Sequence, residues 1–414
     1  NACRSSPDLS VTFSALPRKR GQGRNVADSP IAAKFGGAMA ENPYAKYFDY
    51  NATTPLCAAA RKAWLEASEQ HWHNPSSLYR EAGMARLKLE DCREELADFL
   101  RCDEPERVVF TGGATEANNA VIRNFSRKEK KLAFSAVEHP CVMETAEKVC
   151  GKNSQIIPVN SLTGAVDLES LAEFLDSENP GAVSVMAANN ETGAIQAWKE
   201  IAEMCAERGI DYHCDAAQWI GKLTAEGLER CGFVTGSAHK FGGPKGVGFL
   251  LLPEGLDSGE FEIFVGGPQE NGFRAGTEDL AGVMAMMAAL SDLDENFDSG
   301  QNGRDRDAFE REVEEKVGCE LLLRDSPRLW NTSMFVLPHS KNLKWLTRLS
   351  QRGYSVSTGS ACSAGKGNPS RVMQAMEVDF DRMGRVLRVS GGRDTSAGDW
   401  MALADAIREV GAEL

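Results

Sequence analysis

Val183-Ser184-Val185-Met186, followed by a helical pattern from Ile201 to Arg208 and then by Ile210-Asp211-Tyr212, is the stretch that decides the fold. A short apolar run, an amphipathic segment and a second apolar run read as strand, crossover helix and parallel strand. The alternation extends outward on both sides. Val108-Val109-Phe110, Leu132-Ala133-Phe134, Ile156-Ile157 and Val247-Gly248-Phe249-Leu250-Leu251 are further strand-like runs. Met84 to Leu100 sets Leu87, Leu89, Leu96 and Phe99 among charges, as a surface helix does. Strands alternating with helices predict an α/β fold with a mostly parallel sheet covered on both faces.

Composition narrows the function classes. With 60 acidic against 46 basic residues, the 414-residue chain carries a formal charge of −14, so its average surface repels a nucleic-acid backbone. No uninterrupted apolar run approaches the roughly 20 residues of a membrane helix. Eleven cysteines, scattered and without a C-x-x-C pair, argue against a disulfide framework or a zinc knuckle and for a reducing compartment. Residues 1–38 hold six basic residues (Arg4, Arg18, Lys19, Arg20, Arg24, Lys34) against Asp8 and Asp28, with little periodicity. A disordered leader is expected over 1–46, with Met39-Ala40-Glu41 as a natural start. The expected location is the cytoplasm, or an organelle if residues 1–38 are a transit peptide. A large domain over 47–291, a polar exposed connection over 292–307 and a smaller α/β domain over 308–414 complete the expected organisation.

In open α/β sheets ligands sit beyond the carboxyl ends of strands, and polar motifs here come directly after the strand-like runs. Thr111-Gly112-Gly113-Ala114-Thr115-Glu116 reads as a glycine turn opening a helix, whose free N–H groups can hold a phosphate or simply end a strand. Val137-Glu138-His139-Pro140 comes after the next run; its histidine is a cofactor contact or a hydrogen-bonded structural residue. Asn189-Asn190-Glu191-Thr192-Gly193 is a site loop or a turn. Asp215, after Ile210-Asp211-Tyr212-His213-Cys214, either fixes a cofactor cation or caps the next helix. In Ser237-Ala238-His239-Lys240-Phe241-Gly242-Gly243-Pro244-Lys245-Gly246, small residues surround an amine able to condense with an aldehyde cofactor. Cys362 lies among small residues in Thr358-Gly359-Ser360-Ala361-Cys362-Ser363-Ala364-Gly365, as a thiol on a mobile loop requires.

Taken in order, these motifs resemble those of the cysteine desulfurases, pyridoxal-phosphate enzymes of fold-type I and the class-V aminotransferase group. Tyr47-Phe48-Asp49-Tyr50-Asn51-Ala52-Thr53-Thr54-Pro55, Asn74-Pro75-Ser76-Ser77, Gln218, Arg274-Ala275-Gly276-Thr277 and Arg388-Val389-Ser390 extend the match over roughly residues 47 to 410. The resemblance implies a fold-type I transferase in which Lys240 joins the cofactor aldehyde and Asp215 faces the pyridine nitrogen. His139 would stack on the ring and Gln218 would donate to its phenolic oxygen. Ala114, Thr115, Ser237 and His239 would hold the phosphate, with Thr277 reaching in from a second subunit of a homodimer. Asn190 and Arg388 would bind the substrate, the arginine fork suiting a carboxylate. The implied reaction converts L-cysteine to L-alanine. Lys240 removes the α-proton, and the Cys362 thiolate takes the sulfur as a persulfide. A sulfur-acceptor protein would carry that sulfur to iron-sulfur cluster assembly or tRNA thiolation. No metal site and no direct nucleic-acid or membrane partner is expected.

The match departs from the family pattern at Tyr79, Gly112, Pro268, Ala275 and Gly391-Gly392-Arg393, none of which carries an implied chemical role. Two other readings stand beside it: a related lyase or aminotransferase that does not use Cys362, and a non-catalytic scaffold.

Overall fold

The computed structural model describes residues 43–293, 297–359 and 369–414. Residues 1–42 of the expected leader and Cys362 lie outside the described residues. The leader's last residues are ordered, contrary to expectation: Tyr44 to Tyr47 close a turn in which the Tyr47 amide donates to the Tyr44 carbonyl at 2.8 Å.

Among the described residues, seven strands form the main sheet: β1 (Val108–Thr111), β2 (Leu132–Ser135), β3 (Ser154–Ile157), β4 (Ala182–Ser184), β5 (Asp211–Asp215), β6 (Phe233–Ser237) and β7 (Gly248–Leu251). Their spatial order is β1-β7-β6-β5-β4-β2-β3. The pairs β2–β3, β2–β4, β4–β5 and β5–β6 are parallel, while β7 runs antiparallel to both β6 and β1. Every strand except β7 therefore points the same way, and their carboxyl ends share one edge. The fold is α/β with a mostly parallel sheet, as predicted.

The helices of this part are α1 (Ala58–Gln70), α2 (Arg80–Phe99), α3 (Ala114–Arg127), α4 (Pro140–Val149), α5 (Leu168–Glu178), α6 (Trp198–Glu207) and α7 (Leu280–Ser291). Strand periodicity divides the sheet between two cores. Val108, Phe110, Ala133 and Val183 join Leu89 of α2, Ile201 of α6 and Val283 of α7 on one face. Val109, Leu132, Phe134 and Ala182 join Val121 and Phe125 of α3 and Val142 of α4 on the other. Each large side chain so buried contributes about 1.5–3 kcal/mol relative to exposure.

The rest of the chain adds α8 (Ser299–Val317), β8 (Glu320–Leu321), β9 (Thr332–Val336), α9 (Asn342–Gln351), α10 (Arg371–Ala375), α11 (Phe380–Met383), β10 (Val386–Ser390) and α12 (Ala397–Glu413). Strands β10, β9 and β8 form an antiparallel sheet backed by Phe309, Phe335, Trp345 and Trp400, and Phe48 from the other end of the chain packs into that core. Phe48 and Trp400 meet edge to face with ring centroids 5.0 Å apart. The stretch 292–307 is not the exposed connection that its polarity predicted, because α8 starts at Ser299. The Asp298 carboxylate accepts from the Gln301 amide at its N-terminus, and Arg306, Phe309, Glu310 and Val313 bury one stripe.

Candidate active site

A cavity of about 620 Å³ opens at the carboxyl edge of the main sheet. Ala114, Thr115, His139, Asn190, Asp215, Gln218, Ser237, His239, Lys240 and Arg388 all line it. Thr277 does not: it is exposed, two residues ahead of Asp279, the N-cap of α7.

Each wall comes from one strand end. After β1, Gly113 caps α3 with φ 129°, a conformation closed to most L-residues, and the first turn of α3 faces the cavity. A Cβ on Gly113 would also lie 3.4 Å from the Ser237 hydroxyl. After β2, His139 caps α4 and also lines the cavity: its Nδ1 accepts from the Cys141 amide at 3.2 Å. The Cys141 sulfur lies 2.9 Å from the same nitrogen, and burial pushes its thiol up to about 12. A protonated thiol donates, so Nδ1 accepts and the imidazole proton sits on Nε2. Burial also lowers the His139 pKa, which favours the neutral ring.

After β4, the Asn189 side chain builds the turn, its Oδ1 accepting from the amides of Glu191 and Thr192 at 2.9 Å each. After β5, Asp215 is buried, with Oδ1 accepting from the Ala217 amide at 2.9 Å and Oδ2 from Asn118 Nδ2 at 2.7 Å. Gln218 donates to the Asn51 carbonyl at 2.9 Å and accepts from the buried Lys222 amine. After β6, Lys240 Nζ donates to the Asn51 and Ala52 carbonyls at 2.6 and 3.0 Å. His239 is held neutral, its pKa lowered to about 4 by burial and then by Lys240 and Lys245.

Arg388 enters from β10 and is 2% exposed. Its Nη1 donates to the carbonyls of Asn190 and Gly359 at 2.8 and 3.1 Å, and its Nη2 pairs with Asp49 Oδ1. Its Nε has no partner among the described residues. A buried guanidinium that lines the cavity, with one N–H lacking a partner among the described residues, suits an incoming carboxylate.

The sequence reading assigned no role to Asp49, Asn118, Cys141, His213 or Lys222. Periodicity pointed to two of them. His213 shares a strand face with Asp215, and Asn118 stands one helical turn beyond Ala114. No periodic signal marks Asp49, Cys141 or Lys222.

The donor set fits pyridoxal phosphate. A buried carboxylate can pair with a cationic ring nitrogen, an amine can meet an aldehyde, and a glycine-capped helix N-terminus beside Ser237 and His239 can hold a phosphate. The fold is that of a class-V aminotransferase: the chain belongs to the aminotransferase class-V family, whose profile matches residues 46–402. Over 376 residues it is 34% identical to the cysteine desulfurase IscS of Dictyoglomus turgidum, a match covering 88% of this chain and 94% of that protein. The NifS-like protein from Rickettsia africae superposes with a TM-score of 0.79 at 25% identity, covering 89% of this chain and 99% of that one. SspA, solved in complex with cysteine, superposes with a TM-score of 0.73 at 26% identity, covering 85% of this chain and 100% of that one.

Proposed function

We propose that this chain is a pyridoxal-phosphate-dependent cysteine desulfurase that converts L-cysteine to L-alanine and retains the sulfur on Cys362. The observation that carries the reading is the meeting of Lys240, Asp215, His139 and the part-satisfied Arg388 in one cavity. When bound, the cofactor supplies an aldehyde for the substrate amine and an electron-accepting ring. Asp215 would keep the ring nitrogen protonated, the neutral His139 would contact the ring and Gln218 would donate to the phenolic oxygen. Ala114, Thr115, Ser237 and His239 would hold the phosphate. Arg388 and Asn190 orient the substrate carboxylate, and Lys240 Nζ takes the α-proton. The Cys362 thiolate then attacks the substrate sulfur; the carbon–sulfur bond breaks and alanine leaves.

A homodimer belongs to the same reading, with Thr277 of one subunit completing the other's phosphate site. Two features support it. Leu65, Trp72, Leu78 and Leu87, on or between α1 and α2, are exposed by 56, 69, 99 and 58%. The buried pair Arg93–Glu270, at 2.8 Å, ties α2 to the segment leading to Thr277. A sulfur-acceptor protein in iron-sulfur assembly or tRNA thiolation would take the persulfide. The cysteine pattern supports the cytoplasm as its location, and among the described residues no helix is long and apolar enough to cross a membrane.

The test is alanine release from L-cysteine by the purified protein and a Lys240→Ala variant, with the visible spectrum recorded. Turnover and a bound-cofactor band in the parent, both lost in the variant, support the proposal. A keto-acid product favours an aminotransferase, and cofactor without turnover favours a scaffold.

A further inference from the structure

Behind Asp215 lies a buried chain of side chains that the proposed chemistry does not itself use. Ser184 Oγ is 2.8 Å from His213 Nδ1, His213 Nε2 is 3.0 Å from Asn118 Oδ1, and Asn118 Nδ2 is 2.7 Å from Asp215 Oδ2. The Thr235 hydroxyl also donates to Asn118 Oδ1, at 2.5 Å, and Asn118 Nδ2 lies 3.2 Å from the Cys141 sulfur. Ser184, His213, Thr235 and Asn118 are each 0% exposed.

These contacts use the full capacity of Asn118, two acceptor sites on its oxygen and two N–H groups. The orientation of each member fixes the next. Burial holds His213 neutral, its pKa lowered to about 4, so its ring carries one proton. With Asn118 Oδ1 facing Nε2 as an acceptor, that proton sits on Nε2, and Nδ1 then accepts from the Ser184 hydroxyl. Thr235 donates to the same oxygen, which turns the amide NH2 toward Asp215. A flipped amide would set its oxygen against a carboxylate oxygen and face the His213 and Thr235 donors with N–H groups.

We propose that Asn118 is a positioning residue: backed by Thr235 and the Ser184–His213 pair, it presents an N–H to Asp215 and so keeps that carboxylate aimed at the cofactor nitrogen. This rests on the proposed function only in taking pyridoxal phosphate as the ligand. Replacing Asn118 by Asp removes the N–H and sets a second carboxyl oxygen where it stood, so the Asp215 carboxylate loses the donor that aims it.

The experiment uses the full chain, stripped of cofactor and reloaded. Nitrogen-15 NMR of the stripped protein reads the His213 tautomer, and visible-absorbance titration reads the pyridoxal phosphate Kd for the parent, Asn118→Asp and Thr235→Val. The expected results are an Nε2–H tautomer, a Kd raised about 100-fold in Asn118→Asp and a smaller rise in Thr235→Val. Thermal unfolding of the stripped proteins reports whether each variant is folded. If Asn118→Asp fails to fold, Asn118→Ala takes its place with the same expected direction. An Nδ1–H tautomer, or a folded Asn118 variant whose Kd stays within twofold of the parent, would overturn the proposal. Alanine release by the parent, measured on the same samples, reports on the desulfurase reading alone.

Discussion

Replacing Arg388 by lysine should weaken L-cysteine binding while leaving the cofactor in place. The guanidinium, which lines the cavity, spends Nη1 on the Asn190 and Gly359 carbonyls and Nη2 on Asp49, and Nε is left without a partner among the described residues. Lysine keeps the charge but has no planar fork, so it cannot hold that frame and also meet a carboxylate. A hydrogen bond to a charged group contributes about 1.5–3 kcal/mol, and each 1.4 kcal/mol is a factor of ten. Arg388→Lys should therefore lower kcat/KM for L-cysteine by about 10- to 150-fold, mostly through KM. Alanine release over a range of L-cysteine concentrations measures this, with the visible spectrum as control for cofactor. Asp49→Asn, which frees Nη2 but leaves the guanidinium, should give a smaller rise in KM. An Arg388→Lys enzyme with KM within twofold of the parent would refute carboxylate recognition by this residue.

Burial sets the other outcomes. Glu138 is buried, with Oε1 accepting from Ser135 and the Met186 amide and Oε2 without a partner among the described residues, and burial pushes its carboxyl up to about 8. The folded state thus holds a proton that the unfolded chain releases near 4.5, so this stabilisation is complete below 4.5 and is lost as pH rises through about 8. Chemical denaturation at pH 6.5 and 8 should show Glu138→Gln losing less stability than the parent across that interval; equal losses would count against it. Phe48→Ala should cost about 3–5 kcal/mol, since the ring is fully buried against Trp400 and Tyr354. Urea unfolding measures it, and a cost under 1 kcal/mol would contradict the packing described. Trp72→Glu with Leu78→Glu should turn a dimer into monomers in sedimentation velocity and weaken cofactor retention; an intact dimer would place its interface elsewhere.

Apolar runs made six of the seven strands of the main sheet legible, because helices cover that sheet on both faces. The strand without such a run is β6, whose Thr235 and Ser237 interrupt the apolar pattern. Those side chains face the Asn118 oxygen and the cavity, so chemistry displaced hydrophobicity in that strand. Helix α8 was hidden for a different reason. Gly300 and Gly303 in a charged segment resemble a loop, and it is the stripe around Phe309 and Val313, with the Asp298 cap, that holds the helix together. Within the site, motifs next to strand ends were readable one by one. Helical spacing from Ala114 points to Asn118, the partner of Asp215, whereas Lys222 for Gln218 and Asp49 for Arg388 depend on three-dimensional placement that no local pattern encodes.

The most direct test of the central claim is to expose the holoenzyme to L-cysteine, block free thiols, digest and map the sulfur by mass spectrometry, beside Cys362→Ala. The account predicts a persulfide on the Cys362 peptide, and a variant that keeps its cofactor band but neither accumulates persulfide nor turns over. Sulfur on another cysteine, or equal alanine release by both proteins, would contradict it.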